Sequence, residues 1–284
     1  MKKILVPTDF SKPAMNAVEV GADIARKSGA QLILLHVIEE ATSGSFNVTG
    51  EVRRGGFENK LFTLKLIERA RKQMAKLEED PKLADVKVIS ELRVGSPYHG
   101  MNEIITSRKV DLVVMGTAGK TDLESMIIGS NTEKVVRKSY CPVLTVKNKP
   151  ATKDFKDIVY ATSMDKHEEL FSRIIRTTQK IYDSTIHLVR INTPGNFQRD
   201  VVVKRYMQDF AKKLQLKNYT INVFNDISEE EGIVYFADSI QADLIAMATH
   251  GRTGFAHVLA GSIAEDVLSH SKRPVLTFVT KPRK

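Results

Sequence analysis

Residues 127–146 read IIGSNTEKVVRKSYCPVLTV, and residues 259–278 read LAGSIAEDVLSHSKRPVLTF. Nine of these twenty positions are identical without a gap. The starts of the two halves are also similar, because KKILVPTDFS at residues 2–11 resembles KDIVYATSMD at residues 156–165. A repeat of this length, found twice, predicts a tandem duplication of one domain.

Each half alternates short apolar strands with helix signals. The strands predicted in the first half are KILVPT, QLILLHVI, VKVISELRV, DLVVMG and PVLTVK. This alternation predicts a parallel sheet covered by helices on both faces. We therefore expect an α/β fold of two tandem Rossmann-like, doubly wound domains, residues 1–148 and 154–284, each with a five-stranded parallel sheet. Ligands of such sheets bind at the carboxyl ends of the strands, where the strand order reverses.

Helix signals between the strands are clear in the first half. Ser11 is a candidate N-cap, Pro13 comes two residues later, and Gly29 is placed to end the helix. A long charged helix is predicted from Asn59 to Glu79. Most of the extra length of the first half falls in residues 39–60, which are rich in Gly, Ser and Thr. We interpret them as a long loop, either a lid or an arm for a partner.

A glycine rhythm follows the predicted strand DLVVMG. Two residues separate Gly116 from Gly119. Nine residues separate Gly119 from Gly129, and Ser130 follows directly. Gly116 has no Cβ, so we expect a ligand to lie against its backbone, and Gly119 lets the chain turn away. Gly129 and Ser130 open a helix whose first amide groups have no intrahelical partner, which favours a phosphate.

Asp9 follows the first strand, beside the expected reversal of strand order. One interpretation is that its carboxylate accepts hydrogen bonds from an adenosine amino or hydroxyl group. The other is that it caps the following helix, a role that Ser11 could also fill. The residues alone leave both readings open.

These residues together resemble the ATP-binding pattern of the universal stress protein family, and the resemblance covers both halves. It implies ATP contacts in the first half, and it implies that the final strands PVLTV and PVLTF pair between domains in a body that then forms a homodimer. The implied nucleotide-binding residues are Pro7, Thr8, Asp9, Val37, Met115, Gly116, Gly119, Gly129, Ser130, Asn131 and Thr132.

The second copy departs from this pattern. Ala248 replaces Gly116, and Ser163 replaces Asp9. We expect the Ala248 methyl group to crowd a ribose and Ser163 to offer no charge. Two further positions differ, where Ala161 and Ile191 replace Pro7 and Val37, while Gly251, Gly261 and Ser262 remain. The expectation is that the phosphate ends of the two copies match, the adenosine ends differ, and ATP binds tightly only in the first domain.

The composition of the chain indicates the cell compartment and the kind of partner to expect. The chain has 284 residues, a formal charge of +9, one cysteine and no apolar run as long as a membrane helix. We expect a cytoplasmic protein without internal disulfides. The positive charge favours an anionic partner such as a nucleotide, whereas no aromatic and basic interleaving supports nucleic acid.

Chemistry beyond binding has little support in the sequence. Val114 stands where the Walker A motif needs glycine, and the histidines show no metal spacing. The main hypothesis is a regulatory ATP-binding stress protein, with ATP possible as its Mg²⁺ complex, no catalytic residues and no protein metal site. The alternatives are a slow ATPase or adenylyl or phosphoryl transferase that uses Asp122 and Glu124, and a module that binds a partner protein or nucleic acid.

Overall fold

A computed structural model of the chain describes residues 1–39, 57–117, 129–139, 141–152, 154–165, 168–249 and 263–280. The strands are β1 (Lys3–Pro7), β2 (Gln31–Ile38), β3 (Val88–Val94), β4 (Leu112–Gly116), β5 (Val143–Val146), β6 (Asp157–Ala161), β7 (Thr185–Asn192), β8 (Tyr219–Asn225), β9 (Leu244–Thr249) and β10 (Val275–Val279). The helices are α1 (Lys12–Ser28), α2 (Phe57–Glu78), α3 (Pro97–Arg108), α4 (Ser130–Lys138), α5 (Glu169–Tyr182), α6 (Asp200–Lys213), α7 (Glu229–Ser239) and α8 (Ile263–His270). None of these helices has the length and apolar character that a membrane span requires.

The strands form one ten-stranded sheet in the order β3-β2-β1-β4-β5-β10-β9-β6-β7-β8. Neighbouring strands within each half pair in parallel, and β5 pairs with β10 in the antiparallel direction. The expected class, two tandem doubly wound α/β domains with five parallel strands each, is therefore confirmed. In each half the strand order reverses beside the first strand, between β1 and β4 and between β6 and β9.

The seam between the halves is the β5–β10 pair. Leu144 and Leu276 are opposite each other in the register and are 2% and 4% exposed. The hydroxyl of Thr145 donates to the Val275 carbonyl at 3.1 Å, so the seam also holds a buried side-chain hydrogen bond. The final strands thus pair within one chain, as the resemblance implied. A homodimer remains a prediction, and it would need a surface other than these two strands.

Local signals explain where the first helix begins and ends. Ser11 is the N-cap of α1 and accepts the Ala14 N–H at 3.4 Å, with Pro13 in the first turn. Gly29 ends the helix with a φ of 67°, a conformation that glycine adopts easily. Helix α2 begins at Phe57, inside the segment expected to be a loop. Residues 40–56, where a lid or partner arm was expected, lie outside the described residues.

The two halves differ in how closely the first helix packs on its sheet. Helix α1 carries small residues on its sheet face, and a Cβ added to Gly21 would lie 2.7 Å from Val6 Cγ2. In the second half the matching positions are Ile175 and Tyr160, both fully buried. Larger side chains between helix and sheet explain why the α5 backbone lies further from its strands than the α1 backbone does.

An aromatic layer fills the space under α5. The ring centroids of Tyr160 and Phe171 are 5.4 Å apart, and those of Phe171 and Phe278 are 6.1 Å apart. The helix also begins later than α1, because its first residue, Glu169, matches Met15 and not Lys12 in the repeat. These differences change the carboxyl edge of the second sheet, where a ligand would bind.

We predict that the Leu144→Ala substitution lowers the free energy of unfolding by about 2–5 kcal/mol, because it leaves a cavity at the buried seam. Urea unfolding followed by circular dichroism measures this loss. The control is Val201→Ala, at a side chain that is 81% exposed, which should change stability by less than about 0.5 kcal/mol. Equal effects of the two substitutions would contradict the assignment of the seam as part of the core.

Candidate functional site

The reversal of strand order in the first half places the ends of β1 and β4 side by side. Ile4 pairs with Leu112 and Leu5 with Val113, so Pro7 at the end of β1 lies near Gly116 at the end of β4. The start of α4 also reaches this edge, because the hydroxyl of Thr132 donates to the Gly116 carbonyl at 3.4 Å. This carboxyl edge is the place where a doubly wound sheet binds its ligand.

The turn after β1 holds an uncommon backbone conformation. Phe10 has a φ of 63°, which few residues other than glycine adopt. Its N–H donates to the Thr8 hydroxyl at 3.0 Å. His36, on the neighbouring strand β2, donates from Nδ1 to the Thr8 carbonyl at 2.7 Å, and its ring contacts that of Phe10 with centroids 4.7 Å apart. Backbone strain of this kind is concentrated at functional sites.

His36 and Phe10 are residues that the sequence reasoning missed. They lie next to the predicted Val37 and Asp9, so the missing information was which side chains support the turn. Val37 itself is half-buried, and its Cγ2 would lie 3.2 Å from a Cβ added to Gly100 of α3. It packs on the opposite face of the sheet from His36.

The two readings of Asp9 are separated by the geometry. The N-cap of α1 is Ser11, and Asp9 Oδ1 instead accepts the Ser11 N–H at 2.9 Å. The Asp9 side chain is exposed at the carboxyl edge. One oxygen therefore stabilises the turn, and the carboxylate remains accessible to a polar group of a ligand.

Gly116 has a different reason to be glycine from the one predicted. A Cβ at this position would lie 2.5 Å from the carbonyl carbon and oxygen of Pro13 and 2.7 Å from the Ala14 nitrogen. These are backbone atoms of the first turn of α1, which cannot give way as a flexible side chain would. The missing Cβ of Gly116 was expected to leave room for a ligand. That reason is wrong, because helix α1 occupies the space.

The same geometry corrects the reading of Ala248. The expected crowding of a ribose by its methyl group assumed that the matching position in the first half faces a ligand. In the first half that position faces α1, and in the second half α5 begins later and lies further from the sheet. Ala248 packs against the apolar core beneath α5. Its methyl group is therefore explained by helix packing.

The start of α4 has the properties of an anion site. Its N-cap, Gly129, has no side chain to cap the helix, and among the described residues a Cβ added there would approach only Thr132 Oγ1, at 3.9 Å. Ser130 is exposed, Asn131 is half-buried and Thr132 is buried. Because the first amide groups of a helix lack intrahelical acceptors, this open end favours a phosphate. The Thr132 hydroxyl points to the Gly116 carbonyl, so only its backbone N–H is directed to the open end.

The remaining predicted residues fall into two groups. Met115 is 5% exposed and belongs to the apolar core that also includes Leu5 and Val143. Its side chain therefore packs inside the domain, and its contribution to a site would come from the backbone. Gly119, Asp122 and Glu124 in the first half, and Gly251, Gly261 and Ser262 in the second, lie outside the described residues.

The expectation that the phosphate ends of the two copies match stays a prediction at Gly261 and Ser262, but the helices that follow them differ. Where α4 has Asn131 and Thr132, helix α8 has Ile263 and Ala264. The first turn of α8 also carries Glu265 and Asp266, and burial together with the nearby carboxylates of Glu230 and Glu265 raises the pKa of Asp266. Glu265 matches Glu133 and pairs with Arg137, so the carboxylate that α8 adds is that of Asp266, which interacts with the positive end of the helix and disfavours a phosphate.

The charges in the first turn of α4 are arranged differently from those in the first turn of α8. Its one acidic residue, Glu133, lies 3.3 Å from the Arg137 guanidinium, which also pairs with Glu265 of α8. Lys134 is exposed on the next position. Within the described ranges, no group of three or more His, Cys, Asp or Glu side chains has the arrangement of a metal site.

The fold defines a class of protein: tandem doubly wound α/β domains joined in one sheet. The sequence profile of the universal stress protein family matches residues 1–147 and 154–278. The chain therefore belongs to the universal stress protein family.

Comparisons with individual proteins agree with this assignment. Over 158 residues the chain is 35% identical to the universal stress protein MJ0577 of Methanocaldococcus jannaschii, a match that covers 52% of this chain and 96% of that one. It is 23% identical over 291 residues to the universal stress protein Slr1230 of Synechocystis, covering 98% and 100% of the two chains. The crystal structure of a universal stress protein from Archaeoglobus fulgidus superposes with a TM-score of 0.78 at 18% identity, with 98% of each chain covered. This last likeness concerns the fold.

We predict that the Gly116→Ala substitution destabilises the protein by about 1–3 kcal/mol, because the new methyl group would overlap the α1 backbone. The matched control is Ala248→Gly in the second half, which should cost no more than about 1 kcal/mol, the ordinary cost of a glycine in a strand. Both values come from urea unfolding. If Gly116→Ala were neutral, the explanation from helix packing would fail.

Proposed function

We propose that this universal stress protein binds ATP at the carboxyl edge of its first domain and acts in the cytoplasm as a regulatory nucleotide-binding protein. The observation that carries the proposal is the open start of α4 beside the end of β4. Among the described residues, Gly129 has space on the side where a Cβ would project, and the first amide groups of a helix have no intrahelical partners. Backbone amide groups and a helix dipole together bind phosphate without needing a basic side chain.

Asp9 supplies the second half of the argument. Its exposed carboxylate lies on the turn after β1, across the strand reversal from α4. A carboxylate accepts hydrogen bonds from an amino group or from ribose hydroxyls, and it would repel a phosphate. The edge therefore has an acceptor at one end and a phosphate site at the other, as an adenine nucleotide requires. Mg²⁺ would accompany the phosphates.

Regulatory binding is favoured over catalysis by the chemistry of the described edge. Asp9 uses one oxygen to hold its own turn, and the hydroxyl of Thr132 is directed to the Gly116 carbonyl. Neither group is placed as a general base beside the start of α4. The alternative enzyme would rely on Asp122 and Glu124, and it is separated from the proposal by measuring turnover.

Phosphate binding is tested by the Gly129→Val substitution. We expect loss of measurable ATP binding in isothermal calorimetry with an unchanged circular dichroism spectrum, because the valine methyl groups would fill the open space at the helix start. The matched control is Gly195→Val in the second domain, where a Cβ would meet no atom of the described residues within 4 Å. That variant should bind ATP like the wild type. Unchanged affinity in Gly129→Val would refute the phosphate site.

The adenosine end is tested by Asp9→Asn. Asparagine can still accept the Ser11 N–H through its oxygen, so the turn persists while the charge is lost. Because a hydrogen bond to a charged group contributes about 1.5–3 kcal/mol, we expect ATP affinity to fall about ten- to a hundredfold. The control is Asp226→Asn, which removes a carboxylate that accepts the Ile227 N–H at 2.7 Å in the second domain. Equal ATP affinities of the two variants would remove Asp9 from the site.

Turnover separates a binding protein from an enzyme. We expect the purified chain with Mg-ATP to release phosphate far more slowly than the range of about 1–10³ s⁻¹ that is typical of enzymes. A malachite green assay measures the phosphate. A rate within that range that disappears in Asp122→Asn or Glu124→Gln would instead support the enzyme hypothesis.

A further inference from the structure

The turn after β1 and the turn after β6 have the same shape although their sequences differ. Phe10 has a φ of 63° and the matching Met164 has a φ of 62°. The Met164 N–H donates to the Thr162 hydroxyl at 2.9 Å, as the Phe10 N–H does to Thr8 at 3.0 Å. Both copies therefore hold a strained turn, and each needs an acceptor for the N–H that follows it.

The two copies take that acceptor from different places. In the first domain Asp9 lies within the turn, and its Oδ1 accepts the Ser11 N–H at 2.9 Å. The second domain has Ser163 in place of the aspartate. There the matching N–H, that of Asp165, donates to Oε1 of Glu168 at 3.1 Å.

Glu168 holds the whole turn and not only this one group. Its Oε1 also accepts the Ser163 N–H at 3.1 Å and the Ser163 hydroxyl at 2.9 Å. Its Oε2 accepts the hydroxyls of Tyr160 at 2.8 Å and Thr162 at 2.6 Å. All five donors are neutral groups. The side chain is 1% exposed, so this carboxylate lies entirely inside the domain.

The Tyr160 hydroxyl is a stable hydrogen-bond donor to Glu168. Burial and the adjacent carboxylate raise the pKa of Tyr160 well above its ordinary value, so its hydroxyl stays a donor. The repeat shows how the arrangement arose in the sequence: Tyr160 and Glu168 match Val6 and Ala14 of the first half. A buried carboxylate and its phenol donor thus stand where the first domain has two apolar side chains.

We propose that Glu168 is a positioning residue that replaces the carboxylate of Asp9 from inside the second domain. The turn after β6 keeps its shape, but its carboxylate points inward and offers no acceptor at the surface. Given the proposed function, this substitution explains why the position that matches Asp9 presents no carboxylate to a nucleotide in the second domain.

The two carboxylates exclude each other. The Ser163 hydroxyl lies 2.9 Å from Glu168 Oε1, so an aspartate at position 163 would put a second negative charge next to a buried one. Like charges this close disfavour the ionised form of both groups. Both would also compete for the same Asp165 N–H. Restoring the aspartate alone should therefore damage the domain and not repair it.

The test is a double-mutant cycle on the full chain without nucleotide, which keeps it independent of ATP binding. The variants are Ser163→Asp, Glu168→Ala and the combination, compared by their urea unfolding midpoints. We expect Ser163→Asp to lower the midpoint of the wild type and to raise that of Glu168→Ala, a reversal of sign. Additive effects of the two substitutions would overturn the proposal.

A second measurement covers the case in which Glu168→Ala fails to fold. Glu168→Gln keeps the shape and one acceptor oxygen for the backbone N–H groups, while the Tyr160 and Thr162 hydroxyls can turn to accept from its amide. Its midpoint should lie between those of the wild type and Glu168→Ala. If it folds, the aspartate at position 163 should lower its midpoint less than it lowers that of the wild type, and an equal loss in both would overturn the proposal.

Chemical rescue separates the carboxylate from simple packing. Sodium formate should raise the melting temperature of Glu168→Ala relative to sodium chloride at the same ionic strength, because formate can bind the donors that the substitution leaves unpaired. The wild type should show no such difference. A variant that responds equally to both salts would show that Glu168 acts by filling space, which would contradict the proposal.

Discussion

The antiparallel pairing of β5 with β10 is the constraint on which the rest of the architecture depends. It joins two parallel sheets into one and buries Leu144 and Leu276 at the seam. Because all strands within a half run the same way, this junction directs the carboxyl ends of the halves to opposite edges of the sheet. The two candidate ligand edges therefore lie at opposite ends of the strands. Each half has to be judged by its own residues.

Helix packing then decides how the halves differ. The small residues of α1 let it lie against β1 and β4 so closely that only glycine fits at position 116. Tyr160 and Phe171 hold α5 further away and leave room for Ala248 and for the buried carboxylate of Glu168. A change of packing behind the strands thus changes the groups available at their ends. The duplicated copies share topology and turn geometry while differing in what they offer a ligand.

Much of this could be read from the sequence. The repeat, the strand and helix alternation, the Ser11 cap and the Gly29 stop are local patterns, and the fold followed from them, whereas the pairing at the seam was implied by the resemblance to the family. The reason why position 116 is a glycine could not be predicted, because it depends on where α1 lies relative to β4. The pairing of Ser163 with Glu168 was equally hidden, since it joins a turn to a helix that begins later than its counterpart. The changes to Ile263 and Ala264 stood in the aligned repeat, but only the structure shows that they lie in the first turn of α8.

We propose above all that the chain has a single nucleotide site, in the first domain. Native mass spectrometry of the intact chain with saturating ATP tests it most directly, because it counts bound ligands without assuming where they are. We expect a mass increase of one ATP per chain. An increase of two, or no increase at all, would contradict it.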